Sequence, residues 1–412
     1  MKKSVLAVAI AAAAFAASAA SAAQVYDKDG TTLAVGGQIE FMAGNAGNTY
    51  FGGDKNTSAD ATTRDRARLT MAGRTQLTNG IAAYAYNEWQ IDHANTSDEA
   101  QDVSARQQYL GVDFGKFGKV QVGRYTDPFE YASNLVDVLD EVGVYGGYDE
   151  RNSGHISYMW SGYGFDAGIS YQMAVDNYRA DELGGKFNID SGFSIYAGYT
   201  SPVVVFGPIS IRAAYLYLNG QNGDDGQQNL NPAVPSTTTE EGSYGDVYFD
   251  NAKSIDAGLA WGTNGKGLYL ATHYNYSKIN FADGEFGTIA ANSTNRTKVG
   301  DFESSYKVKA WESVVTYGFE NGIRLGASYH YVKWDVDSSA TADGFKYEVR
   351  GDAKRKYVQL IADYNVTPNF KVWAEGLINA GSDYGAGRIT NATLKDDDGK
   401  HNTFMVGARY VF

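Results

Sequence analysis

Ile323-Arg324-Leu325-Gly326-Ala327-Ser328-Tyr329-His330-Tyr331 puts Ile323, Leu325, Ala327, Tyr329 and Tyr331 on one parity and Arg324, Gly326, Ser328 and His330 on the other. A period of two means an extended strand with one apolar and one polar face. The same alternation recurs at 209–219, 267–279 and 403–412. One such segment fits a half-buried strand of a soluble sandwich equally well, so the number of segments and their connections decide the fold. Candidate strands lie at 33–43, 66–77, 80–91, 105–114, 118–125, 153–161, 165–174, 192–202, 209–219, 253–262, 267–279, 306–319, 323–335, 355–366, 370–380 and 403–412, roughly sixteen in all. Short turns at 78–79, 115–117, 162–164, 203–208, 263–266, 320–322 and 367–369 alternate with long polar stretches. Those stretches are 44–65, 92–104, 126–152, 175–191, 220–252, 280–305, 336–354 and 381–402. Every second connection is long, so the long ones all leave from one rim, and Greek-key crossovers of a sandwich produce no such parity. The pattern predicts an all-β, transmembrane, antiparallel up-and-down barrel of about 16 strands, with short periplasmic turns and long extracellular loops.

The chemistry of a bilayer explains that design. Hydrocarbon offers no partner to a peptide group, so each unpaired N–H or C=O costs several kcal/mol, and closing the sheet pairs them all. Strands of about 9–11 residues span the apolar layer when tilted. Tyr217, Tyr276, Tyr331, Tyr364 and Tyr410, near strand ends, fit interfacial girdles, where a ring is apolar on one side and wet on the other.

Composition narrows the function. The 412 residues hold 35 Lys+Arg against 48 Asp+Glu and no Cys. Disulfides, thiolate metal sites and a cysteine nucleophile are excluded, and the acidic balance argues against a nucleic-acid partner. Met1-Lys2-Lys3 begins positive, an Ala-rich apolar run follows, and Ala20-Ser21-Ala22 has the form read by signal peptidase. Residues 1–22 are expected to be a cleaved signal peptide and 23–412 a single barrel domain.

A barrel of about sixteen strands leaves an aqueous channel, whereas eight leave room only for side chains. The inward parity is polar: Gln38 and Glu40; Arg66, Arg68, Arg74 and Gln76; Arg151, Ser153, His155 and Ser157; Lys371 and Glu375. Only the third long loop, 126–152, follows a basic strand and carries a compact acidic run, Asp137-Val138-Leu139-Asp140-Glu141. Enzyme chemistry has no foothold in the pattern. The five histidines, His93, His155, His273, His330 and His401, show no metal-pair spacing, and no G-x-S-x-G elbow precedes a helix. Ser153 and Ser157 flank His155 along one wall without a third orienting group. Asp396-Asp397-Asp398-Gly399 lacks the spacing of an EF-hand loop and reads as a solvated charge run. No cofactor or metal is expected.

Several segments carry a resemblance to a known family. Ala23-Gln24-Val25-Tyr26-Asp27-Lys28-Asp29-Gly30, Ala67-Arg68-Leu69 with Gly73, Val122-Gly123-Arg124-Tyr125, Arg151-Asn152-Ser153 and the terminal Tyr410-Val411-Phe412 follow in order and in register with the strands. Together they resemble the enteric-type, trimeric general-diffusion porins of Gram-negative outer membranes, over essentially the whole of 23–412. The resemblance implies a homotrimer in the cell outer membrane, in contact with lipid and lipopolysaccharide. It implies recognition of Phe412 by the outer-membrane assembly machinery, and passive passage of ions and small hydrophilic solutes. It also implies that loop three folds into the pore. Arg68, Arg106 and Arg151 then line a basic wall opposite Asp137, Asp140 and Glu141, with Gln38, Glu40, Arg66 and Arg74 as further lumen residues. Two unit charges about 8 Å apart at an effective dielectric near ~40 interact by about 1 kcal/mol. A transverse field of that kind favours dipolar solutes over apolar ones.

The chain departs from the enteric pattern. Gln38 stands where those porins carry a lumen Lys, and no basic residue occurs in 142–150 before the Arg151 wall. Both changes weaken the positive side, so a moderate cation preference is expected. Simple alternation puts Arg106 on the parity of Leu110 and Val112, so its inward aim requires a bulge or a protein-facing strand. Two other functions stay open at this point: a substrate-specific channel, although Tyr269, Tyr357 and Trp373 are too scattered for a sugar track, and a surface adhesin or receptor acting through the loops.

Overall fold

The computed structural model describes residues 22–45, 62–94, 103–140, 151–180, 185–221, 227–231, 242–289, 296–342, 345–381 and 402–412. Among them nineteen strands form one sheet. They are β1 (Ala23–Lys28), β2 (Thr31–Gly44), β3 (Thr62–Thr78), β4 (Ile81–Ala94), β5 (Ser104–Asp113), β6 (Lys119–Thr126), β7 (Arg151–Gly162), β8 (Phe165–Gln172), β9 (Val175–Ala180) and β10 (Gly185–Val204). The remainder are β11 (Gly207–Gly220), β12 (Gln227–Asn231), β13 (Gly242–Thr263), β14 (Lys266–Ile289), β15 (Arg296–Gly318), β16 (Ile323–Ala342), β17 (Phe345–Thr367), β18 (Phe370–Asn379) and β19 (Thr403–Val411).

All but β1, β9 and β12 are staves of a closed antiparallel barrel of 16 strands. Each stave pairs with the next, and the ring shuts where β19 returns to β2, with Met405 opposite Gly44 and Val411 opposite Gln38. Where β19 stops, β1 takes over the same edge of β2. Phe412 exchanges both backbone hydrogen bonds with Gly37, at 2.9 and 3.0 Å, and Ala23 then lies opposite Val35. One stave is thus built from two distant pieces of chain. The short β9 and β12 pair with β10 and β13 beyond the barrel wall proper.

The alternation read from sequence has its physical counterpart in burial. Ile39 and Phe41 are exposed on the outer surface while Glu40 between them is buried. Ile156 and Tyr158 are exposed while His155 and Ser157 are buried. The outside is apolar because it meets hydrocarbon, and the inside is polar because it meets water and other polar side chains.

Strand ends are where the sequence reading needs correcting. The stretches 175–191, 220–252, 280–305 and 336–354, expected as loops, contain ladder. β16 and β17 stay paired from Ile323 opposite Tyr364 to Ala342 opposite Phe345. Likewise β14 and β15 pair from Gly267 opposite Gly318 to Ile289 opposite Arg296. Backbone hydrogen bonding needs no apolar face, so the ladder runs on through polar stretches such as Asp335-Val336-Asp337-Ser338-Ser339, where the reading from alternation stopped. Segment 23–28, read only as an opening segment, is a strand.

Closure makes a demand on size at the seam. A side chain at Gly37 runs into the Arg68 carbonyl oxygen and the Phe412 ring. Gly37→Val is expected to cost about 1–3 kcal/mol by overpacking. That loss lowers the temperature at which the barrel loses its compact mobility on a detergent gel. An unchanged temperature contradicts this account of the seam.

Candidate functional site

Loop three starts where β6 ends and turns inward. Asp127 caps the first 3-10 turn, Pro128–Tyr131, by accepting from the Phe129 amide at 2.8 Å. Ser194 donates to the same carboxylate at 2.7 Å, and His155 Nε2 lies 3.8 Å from its other oxygen. Apolar side chains then hold the loop on the inner wall. Phe129 packs with Ile189, Tyr196, Leu216 and Phe281, and further on Leu135, Val136 and Val138 pack on Ala260, Tyr269, Val314 and Ile361. The Tyr269 hydroxyl donates to the Leu135 carbonyl at 2.6 Å, and Arg212 donates to the Tyr131 carbonyl at 3.0 Å from above the Tyr131 ring. Burial pushes the Tyr131 hydroxyl up from its ordinary value, so it stays protonated and donates to Asp166 at 2.9 Å. The loop therefore follows the wall from β10 to β17, the side of the ring that faces β3 to β7 across the bore.

The acidic residues of the loop have different surroundings. Asp137 is exposed between buried Val136 and Val138, so it stands on the side of the loop turned away from the wall. Asp140 turns to the wall. Its carboxylate meets Lys371 Nζ at 2.6 Å and Arg409 Nη1 at 2.8 Å, and its amide donates to Glu375 at 2.5 Å. Glu141 lies outside the described residues.

On the facing wall the structure brings the basic residues together. Arg68 is within electrostatic reach of Arg66, Arg106, Arg151 and Glu88. It donates to Gln90 at 2.8 Å, and Arg106 donates to Glu88 at 2.7 Å. The phase of Arg106 is set by a bulge: Glu88 pairs with Gln107, the next residue Trp89 pairs with Ala105, and Arg106 is the extra residue between. A second bulge, where Gly123 takes φ 133, frees Arg124, which donates to the Ala105 carbonyl at 3.0 Å. Arg74 sits apart, paired with Asp113 at 3.0 Å. Arg66 pairs with Glu40, which also accepts from Arg409 at 2.5 Å and from the Trp373 indole at 3.3 Å. Gln38 lies opposite Arg68 in the β2–β3 ladder.

A further polar row lies on β13 to β17. Asp256 contacts His273, Glu312 lies 3.3 Å from His273 Nδ1 and 2.5 Å from His330 Nδ1, and Ser328 links His330 to Gln359 at 2.7 and 2.8 Å. His273 and His330, on separate strands, are joined through the one carboxylate of Glu312, which only the strand register reveals.

The family pattern described as Gram-negative porin matches residues 7–377. The chain belongs to the Gram-negative porin family. It is 25% identical over 397 residues to outer membrane protein Omp-EA of Erwinia amylovora, covering 93% of this chain and 95% of that protein. It is also 25% identical over 368 residues to outer membrane porin C of Salmonella typhimurium, covering 87% and 88%. Among solved structures, Salmonella typhi OmpF in complex with daunomycin superposes with a TM-score of 0.61 at 18% identity, over 95% of this chain and all of that one. An anion-selective porin of Comamonas acidovorans gives 0.55 at 14% identity, over 93% of this chain. This porin resides in the Gram-negative outer membrane and is a channel, not an enzyme.

Sequence reasoning missed Glu88 and Gln90 in this porin's basic wall, although Tyr84, Tyr86, Glu88, Gln90 and Asp92 share one parity of β4 and signal an inward row. Arg212 and Arg409 also sat on polar parities, with no local motif to single them out. Glu88→Gln removes the counter-charge of Arg106. The zero-current potential in a salt gradient is expected to move toward the anion side, and an unchanged potential places this pair off the permeation path.

Proposed function

We propose that this porin passes ions and small hydrophilic solutes passively through a water-filled bore, with a moderate preference for cations, and that it does so as a homotrimer. The observation that carries the reading is loop three laid along one side of the lumen with Asp137 turned from the wall, while Arg68, Arg106 and Arg151 cluster on the facing side. A narrow passage between opposed charges orients water and dipolar solutes, and an apolar solute has to displace that oriented water without compensation. No binding pocket is needed for such a filter.

Cation preference follows from the balance at the passage. Glu88 offsets Arg106, and Arg66 is already paired with Glu40, so fewer than the full set of guanidinium charges face the bore unopposed. Glu141, beyond the described residues, extends the acidic run of the loop. Tyr269, Tyr357 and Trp373 are buried in wall clusters instead of lining an open path, which supports general diffusion over a sugar-specific slide. Residues 1–22 leave as the signal peptide, and Phe412 at the seam is the residue offered to the assembly machinery. Lipid and lipopolysaccharide surround the outer wall.

The test is the reversal potential of the purified protein in a planar bilayer under a salt gradient, with conductance recorded as unit steps. Cation preference, three equal closures per insertion and current linear in salt are expected. Asp137→Asn is expected to reduce the cation preference. Anion selectivity of the unaltered protein contradicts the reading.

A further inference from the structure

Two carboxylates in the acidic run of loop three meet opposite surroundings, and that difference assigns them different tasks. Asp140 is bound by three groups of the wall, Lys371 and Glu375 on β18 and Arg409 on β19. Its side chain is only 4% exposed, so its charge is spent on the wall and contributes little to the bore. Asp137, three residues earlier, is exposed.

Arg409 belongs to a second contact at the same time. While Nη1 holds Asp140 at 2.8 Å, Nη2 holds Glu40 at 2.5 Å, and Glu40 lies on β2 across the closure seam. Glu40 is in turn held by Arg66 of β3 and by the Trp373 indole. One guanidinium fork thus bridges the loop and the pair of staves that shut the ring, a geometry Arg supplies and Lys does not.

We propose that Asp140 is the anchor of loop three, and that Arg409 is the positioning residue that ties the width of the passage to the closed seam. The inference rests on the channel reading above and deepens it: Asp137 sets selectivity, whereas Asp140 and Arg409 set where the loop stands. Before β19 meets β2, Arg409 is not beside Glu40, and the anchor is incomplete. The passage is therefore formed only in the closed barrel.

The experiment compares Asp140→Asn, Asp137→Asn, Arg409→Gln and Arg409→Lys with the unaltered protein. It reads unit conductance, open-channel current noise, reversal potential and uptake of sugars of increasing size by liposomes. Asp140→Asn leaves the Glu40–Arg409 seam pair intact, so the barrel is expected to keep its heat-resistant mobility on a detergent gel. A released loop widens and fluctuates: about a twofold rise in unit conductance, greater noise and uptake of larger sugars are expected, with a smaller shift in reversal potential than Asp137→Asn gives. Arg409→Gln is expected to match Asp140→Asn with a less heat-resistant barrel, and Arg409→Lys to fall between. An Asp140→Asn channel that stays quiet at unaltered conductance overturns the anchor, as does one that shifts the reversal potential as far as Asp137→Asn without widening. Unaltered protein that conducts nothing overturns the channel reading itself, and this inference with it.

Discussion

A peptide group facing hydrocarbon has no water to bond, and every feature of this chain's architecture answers that fact. An open sheet of the same strands exposes two rows of unpaired N–H and C=O groups. Bringing β19 to β2 removes both rows at once, although the pairing joins residues more than 350 positions apart, such as Met405 and Gly44. The long-range contact is costly in chain entropy, which every stave between must share before the last pairing rewards it. Once the ring is shut, the period of two sorts the side chains without further instruction. One parity, as in Ile39 and Phe41, meets lipid, and the other, as in Glu40 and Arg66, has to be satisfied inside.

Inside, a wide ring cannot fill itself with side chains, and loop three takes up part of the space. The loop is held by two kinds of force. Phe129, Leu135, Val136 and Val138 bury apolar surface against aliphatic and aromatic wall residues, including Leu216, Val314, Tyr196 and Tyr269. At Asp140 the hold becomes ionic, through Lys371 and Arg409. A buried ion pair adds little net stability compared with apolar packing, yet its geometry fixes its partners closely in place. Such a contact is well suited to fixing a position. The apolar part gives the loop its adhesion and the ionic part gives it its register.

The legible part of the fold is the part written in local alternation. Ile323 to Tyr331, or Ile209 to Tyr217, can be read as strands because hydrocarbon on one side and water on the other impose opposite demands on neighbouring residues. The ladder from Val336 to Ala342 was not legible, because Asp337-Ser338-Ser339 breaks the alternation there while the backbone pairing continues. On the wall facing loop three, the nearness of Arg68, Arg106 and Arg151 was expected from resemblance, and a bulge at Arg106 was one of two ways to resolve its conflict with Leu110 and Val112. The partners of those arginines were not. Glu88 meets Arg106 across two strands, and Glu312 joins His273 to His330 across three, so each pairing depends on register, which a single strand's sequence does not contain. The ionic hold on Asp140 was hidden for the same reason: Lys371, Glu375 and Arg409 reach it from strands far along the chain.

The composite stave carries a consequence for chain connectivity. Phe412 bonds to Gly37 and Ala23 lies opposite Val35, so the last and first strands lie in line along β2. Splicing them with a short linker would make the barrel segment an unbroken hoop, which could be cut afresh at an exposed turn such as 320–322 between β15 and β16. The architecture is nearly indifferent to where the polymer begins: what it requires is a neighbour on each side of every stave, whichever gene order supplies it.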